Sequence, residues 1–434
     1  MRLVYLLCCY CIVTQVVAQQ ASDVIITQDI DHFWEAYDKI ITTKDSAQQY
    51  TYLQTLYLDK GSPGLEAMRQ ARRYTAQNYI DAINQYPAYW NSIRSNTYKA
   101  SQLGEEIAQG VKQLQQIYPT LKPAKVYFTI GVFRSPGTTM NGQVLIGAEM
   151  VLGDENVVVE ELPERLNYVK NYLKQNPIEE IVFLNVHEFV HTQQKEALYA
   201  NLLVQCLREG VAEFIAEKAM QQASTLPALA FGKKNTALVK ERFTQEMFSN
   251  SYHHWLWNDQ NNDFGVRDLG YYVGYAIAAQ YYQAAKNKQE AIKILILLPY
   301  DDDKAIETFV DQLDFFSDDI ATLKENYEAQ RPEVVAIAPF SNHANKVDPT
   351  TNEITVTFSK PMDTRFRGFD YGPLGEKHVL RIEKLIGFSE DKKIARFAVN
   401  LQPNQQQQVL LTRFRDETGR PLQPYLIDIT TGGE

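Results

Sequence analysis

The spacing of apolar residues along this chain changes from a helical to a strand-like period, returns, and changes again, which rules out an all-α or an all-β fold. From about Asp23 to Leu121, apolar and aromatic residues recur three and four apart, as at Phe33, Trp34, Tyr37, Ile40 and Ile41, the period of a helix with one buried face. Breaks are expected at Gly61-Ser62-Pro63-Gly64, Tyr86-Pro87 and Tyr118-Pro119, where proline and glycine interrupt the pattern. The tyrosines of these helices read as packing residues. Lys125–Phe133 and Gln143–Met150, rich in β-branched and aromatic residues and separated by a turn at Ser135-Pro136-Gly137, predict a small sheet. Helical spacing resumes near Pro177 and runs with interruptions to about Tyr327. After Arg331-Pro332, short alternating runs such as Ile354–Phe358 and Lys393–Val399 predict a β-sandwich. The expected fold class is α+β: a mostly helical domain with a small β-sheet, followed by an all-β sandwich. The Gln405–Gln408 run reads as a polar loop or solvated edge, and no internal repeat is visible.

Length and charge add bounds. The chain has 434 residues, enough for two or three compact units, and a net charge of −10 with no dense Lys/Arg block, which argues against nucleic acid as a partner. An apolar stretch from Leu3 to Ala18 follows Arg2, and reads as a signal peptide, residues 1–18, with an uncleaved anchor as the alternative. Cleavage after Ala18 would discard Cys8, Cys9 and Cys11 and leave Cys206 alone, so no internal disulfide is expected. None of the three early cysteines follows the small residues that lipid attachment usually requires. The expectation is an exported bacterial protein, periplasmic, cell-surface or secreted, without a transmembrane anchor after cleavage.

Chemistry concentrates in Val186–His191, where His187, Glu188 and His191 form an HExxH arrangement on a helical stretch predicted over Ile178–Gln194. Residues four apart on a helix share a face, so both imidazoles can turn to one zinc ion while Glu188 reaches a metal-bound water. Eighteen residues after His191 comes Glu209, on a second helix predicted from about Leu202 to Met220. Folded back, that helix would let Glu209 supply a third, oxygen ligand, with Glu213 one turn later accepting a hydrogen bond from a ligating histidine. The bland alternative is two histidines and two surface carboxylates without metal. Cys206 reads as a small buried apolar residue, and neither a phosphate-binding loop nor a dinucleotide fingerprint is present.

The HExxH and Glu209 pair resembles the gluzincin metallopeptidases. With Phe128-Thr129-Ile130-Gly131 and Ile146-Gly147-Ala148-Glu149 upstream, the chain is similar to an uncharacterised bacterial group of predicted zinc-dependent proteases. The resemblance implies Zn²⁺ as cofactor, His187, His191 and Glu209 as its ligands, and Glu188 as general base and acid. It further implies that Val144–Met150 lies along a substrate backbone, with Glu149 meeting a substrate amine. A tyrosine, Tyr272 or Tyr275 in Gly270–Tyr275, would stabilise the oxyanion, with His253 and His254 as alternatives. Pro339-Phe340-Ser341-Asn342, Val347-Asp348-Pro349 and Ile354–Asp363 resemble the bacterial Ig-like domain, implying an appended module that contacts the cell envelope. The implied domains are residues 19–330, metallopeptidase (helical part about 23–121, sheet and active-site part about 122–330), and 331–434, Ig-like. The expected function is an exported zinc peptidase acting on a peptide or protein substrate. Two alternatives stand beside it: a catalytically idle envelope or surface binding protein using the Ig-like domain, and a zinc amidase acting on a cell-wall component.

Overall fold

In the helical N-terminal region, prolines set where helices begin. Pro63 and Pro87 occupy the first turns of the helices Pro63–Arg72 and Pro87–Thr97, where the missing N–H would have no intrahelical partner anyway. Ser62 caps the first of these by accepting the N–H of Leu65 at 3.2 Å. The computed structural model describes residues 24–258 and 262–433; the expected signal peptide, with Cys8, Cys9 and Cys11, lies outside them. Among the described residues the fold is mixed α+β, and no helix is long and apolar enough to cross a membrane.

The contacts divide the chain into two compact units. One holds the described residues up to Gln194 with Ala212–Ser224 and Asn287–Leu297; the other holds Lys195–Val211, Thr225–Lys286 and the described residues from Leu298 onward.

The first unit contains helices Gln28–Ile40, Ser46–Leu53, Pro63–Arg72, Ala76–Gln85, Pro87–Thr97 and Ala100–Ile117. Their inner faces meet in an aromatic core in which the Phe33 ring lies 5.1 Å from Trp34 and 5.0 Å from Trp90. Tyr57, Tyr79 and Tyr89 are fully buried there, as packing residues should be. Four strands, β1 (Ile25–Ile26), β2 (Val126–Thr129), β3 (Gly137–Met140) and β4 (Gln143–Gly147), form a sheet of order β1-β2-β4-β3. β2 runs parallel to β1 and β4, with Phe128 opposite Ile146, while β3 returns antiparallel with Gly137 opposite Ile146. Two boundaries differ from the sequence expectation. β2 ends at Thr129 because Gly131–Phe133 leaves the ladder and offers its N–H groups to a buried carboxylate, that of Glu149. The run expected to continue to Met150 turns into the short helix Ala148–Val151. The helix Ile181–His191 follows, buried on most sides by Ile181, Phe183, Val186, Phe189 and Val190.

The second unit contains helices Pro227–Lys234, Thr236–Thr244, Leu269–Ala284, Asp303–Asp311 and Ile320–Ala329. Its C-terminal part is all β: β5 (Val334–Ala338), β6 (Glu353–Phe358), β7 (Phe369–Asp370), β8 (Arg381–Phe388), β9 (Ile394–Asn400), β10 (Gln406–Leu411) and β11 (Tyr425–Thr430). These make a four-stranded sheet β5-β6-β9-β8 and a three-stranded sheet β11-β10-β7, all pairs antiparallel. Alternate residues of both, including Val356, Phe397, Val409 and Ile427, share one hydrophobic cluster, the arrangement that period-2 alternation encodes. The glutamine run is loop and exposed only in its first half: Gln405 precedes β10 and Gln406 is exposed, whereas Gln407 and Gln408 are buried on β10, the central strand of its sheet. The Gln407 amide donates to the Gln402 carbonyl at 2.8 Å and that of Gln408 to Asp428 at 2.9 Å, which is what allows them inside.

Candidate metal centre

The helix Ile181–His191 carries His187 and His191 four residues apart, hence on one face. Both are buried, 6% exposed each. His187 Nδ1–H donates to Glu213 Oε2 at 2.8 Å, and His191 Nδ1–H donates to Gln194 Oε1 at 2.6 Å. An acceptor oxygen on each Nδ1 places the ring proton there and makes Nε2 the lone-pair nitrogen of both rings. Those two Nε2 atoms face each other at 3.1 Å, with the ring planes 82° apart. Two lone pairs at this separation repel unless a proton or a cation lies between them.

Glu213 sits on the unbroken helix Leu202–Met220, and its other oxygen accepts the Ser224 hydroxyl. Glu209 lies one turn earlier on that helix and is buried, with the Arg208 guanidinium 3.6 Å from its carboxylate. His187, His191 and Glu213 belong to the first unit, and Glu209 to the second. Glu188 is buried and packs against β3, where Gly137 makes room: a Cβ there would come within 2.8 Å of Glu188 Oε1.

The remaining sequence candidates occupy other settings. Glu149 is fully buried, and its two oxygens accept the N–H groups of Gly131 (2.9 Å) and Phe133 (3.1 Å). Burial pushes this carboxyl up to about 7 against the opposing pull of those hydrogen bonds. Tyr272 is buried with its ring on Gly232 and its hydroxyl 2.6 Å from Thr236 Oγ1. Tyr275 is buried, with the Lys233 ammonium 4.9 Å from its ring centre. The glycines of Gly270–Tyr275 serve helix packing: a Cβ at Gly274 would lie 1.8 Å from the Cys206 carbonyl oxygen. Cys206 is fully buried and its thiol is pushed up by burial. His253 and His254 form a cluster of their own, with ring centres 3.9 Å apart, Ser251 on one ring and Glu246 on the other.

Three partners escaped the sequence reading. Gln194 reaches His191 from just past the end of that helix, three residues on, whereas Ser224 and Gly137 reach Glu213 and Glu188 through tertiary contacts.

The family model for gliding motility protein GldB matches residues 14–252, more than half of the chain. The chain belongs to the GldB family. Membership corrects the expected identity: the matching family is one of gliding motility proteins and not the gluzincin metallopeptidases. The descriptions hydrolase, zinc metallopeptidase and enzyme fall with that expectation, as does the peptide or protein substrate. The reason is physical. HExxH records that two imidazoles and a carboxylate share a helix, and that arrangement does not by itself specify turnover. As a GldB-family member the chain is exported to the cell envelope, as its N-terminal composition predicts.

No curated protein matches the chain. Three structures of a bacterial S-layer protein are similar to it at low identity. The crystal structure of the S-layer protein rSbsC(31-844) has 14% identity over 77% of this chain and 46% of that one, with a TM-score of 0.18. The N-terminal part of SbsC gives 12%, 95%, 79% and 0.18 for the same quantities, and SbsC domains 1-6 give 12%, 95%, 46% and 0.19. The chain thus spans less than half the length of the first of these, and TM-scores this low carry no argument about its fold.

Proposed function

We propose that this chain serves gliding motility as a non-catalytic binding component of the cell envelope, and that His187 and His191 hold a divalent cation that braces it. The observation that carries the cation is the pair of facing Nε2 atoms, 3.1 Å apart, with both Nδ1 protons directed elsewhere. Two nitrogens bound tetrahedrally to one ion at about 2.0–2.1 Å stand roughly 3.3 Å apart, close to the separation found. A pair of imidazole donors suits zinc, the ion expected from the sequence, and its borderline neighbours. Glu213 orients His187 in the manner of a carboxylate behind a metal ligand. The two-sheet C-terminal region, with its Ig-like sequence resemblance, supplies contact surface. The family's label as a lipoprotein adds lipid attachment near the N-terminus, against the expectation drawn from Cys8, Cys9 and Cys11.

Elemental analysis of the purified protein tests the cation: about one divalent ion per chain is expected, lost in His187→Ala and His191→Ala. Absence of metal from the wild type, even after addition of zinc, overturns it and leaves a shared proton between the rings. Complementation of a gliding-deficient deletion strain tests the non-catalytic role. Glu188→Gln should restore movement as well as the wild type does; loss of movement at normal expression would overturn that role.

A further inference from the structure

Two loops of the second unit hold large apolar side chains out in solvent. Leu198 is 71% exposed, Tyr199 91% and Trp257 52%. Tyr199 and Trp257 both have left-handed backbone, with φ of 60° and 54°, which costs a bulky residue on the order of 1–2 kcal/mol. The strain is held in place. Asn250 Nδ2 donates to the Tyr199 carbonyl at 2.8 Å, the Tyr252 hydroxyl donates to the Ala200 carbonyl, and the Trp257 N–H donates to Asp268. Tyr252 also joins the loops, its ring meeting that of Trp257 edge-on at 5.8 Å. Residues around the patch are polar and of both signs: exposed Glu196 and Asn250, Asp301 paired with Lys195 at 2.9 Å, and Asp268 paired with Arg267 at 2.8 Å.

We infer that Tyr199 and Trp257 form a stacking platform for a neutral oligosaccharide, with Glu196 and Asn250 available to its hydroxyl groups. Size selects this occupant. At 150–250 Å² per aromatic side chain, the exposed parts of the two rings amount to roughly 300 Å². That is well below the roughly 800 Å² each partner gives to a stable protein interface, and close to what the faces of one or two pyranose rings cover. A pyranose offers an apolar C–H face to an aromatic ring and hydroxyl groups to carboxylates and amides. This inference is independent of the cation proposed above.

The wild-type protein carries its own reporter, because Trp34, Trp90 and Trp255 are at most 2% exposed and Trp257 is 52% exposed. Titration with the trimers of N-acetylglucosamine, glucose and mannose should, for at least one of them, give a saturable change in tryptophan emission and protect it from acrylamide. Isothermal titration calorimetry should show that trimer binding at least tenfold more weakly to Tyr199→Gly and to Trp257→Ala. Tyr199→Gly also relieves the backbone strain, so its melting temperature should not fall. No response to any trimer, binding unchanged in both variants, or adsorption to phosphatidylethanolamine vesicles in place of sugar binding would each overturn the inference.

Discussion

His187 and His191 point their Nε2 atoms at each other across 3.1 Å because each Nδ1 proton is drawn to an oxygen, of Glu213 in one case and Gln194 in the other. The two hydrogen bonds make the histidines a matched pair of donors. Removing one should loosen the pair without removing a ligand. Glu213→Ala is therefore expected to retain the fold and to weaken the proposed cation site by about 10- to 100-fold, read by competition with a chelator of known affinity. An unchanged affinity would show that Glu213 does not orient His187.

Close helix packing at Gly274 sets a second expectation. A Cβ there would meet the Cys206 carbonyl oxygen at 1.8 Å and the Leu207 Cα at 2.9 Å, which are backbone atoms of the helix Leu202–Met220 that cannot step aside alone. Gly274→Ala should destabilise the protein by about 3 kcal/mol or prevent folding. Gly142, whose added Cβ meets nothing within 4 Å but whose φ is 70°, should cost only about 1 kcal/mol as alanine. Urea denaturation of both variants checks the contrast.

Glu149 predicts a stability that falls with rising pH. Its carboxyl titrates near 7 in the fold, against an ordinary value of 4.5. Between those values the folded chain keeps a proton that the unfolded chain has released, so each step upward in pH subtracts stability. The loss is complete above about pH 7 and amounts to about 3 kcal/mol. In Glu149→Gln that part of the slope should vanish between pH 5 and 8. The variant should be the less stable protein at pH 5, because the protonated carboxyl can still accept both N–H groups on its two oxygens, whereas the glutamine NH₂ confronts one of them.

His253 predicts the opposite slope in the second unit. Burial, the neighbouring His254 and the Arg415 guanidinium hold it below its ordinary 6.5, with Glu246 opposing. Arg415 donates to Ser251 Oγ at 2.9 Å, and that oxygen lies 2.5 Å from His253 Nδ1. Below pH 6.5 the unfolded chain takes up the proton first, so this contribution to stability is intact above 6.5 and lost as the pH falls through the folded value. Hydrogen exchange should show the segments around Ser251 and Arg415 opening earlier on acidification than the aromatic core at Trp34 and Trp90. His253→Gln should flatten that dependence.

The outcome of the sequence reading follows the range of the interactions involved. Helical spacing at Phe33, Trp34 and Tyr37, the breaks at Pro63 and Pro87, the helix Leu202–Met220 and the change to alternating strands after Pro332 are all legible locally. Each depends on residues within a turn or two of one another. The shared face of His187 and His191 belongs to the same class, for it needs nothing beyond a 3.6-residue turn.

What only the tertiary structure decided are the partners. Glu149 was expected to face a substrate, and its position inside, holding Gly131 and Phe133, depends on how β2, β4 and the helices around Tyr57, Tyr79 and Tyr89 close over it. Gln407 and Gln408 are polar in any window of sequence and are nevertheless buried, because Gln402 and Asp428 meet their amides. Ser224 reaches Glu213, and Gly137 makes room for Glu188, through contacts that no local pattern records. Sequence by itself determined where helices and strands run and that two histidines share a face. Which nitrogen of each ring carries the proton, and so what that face can hold, was decided by oxygens brought in by folding.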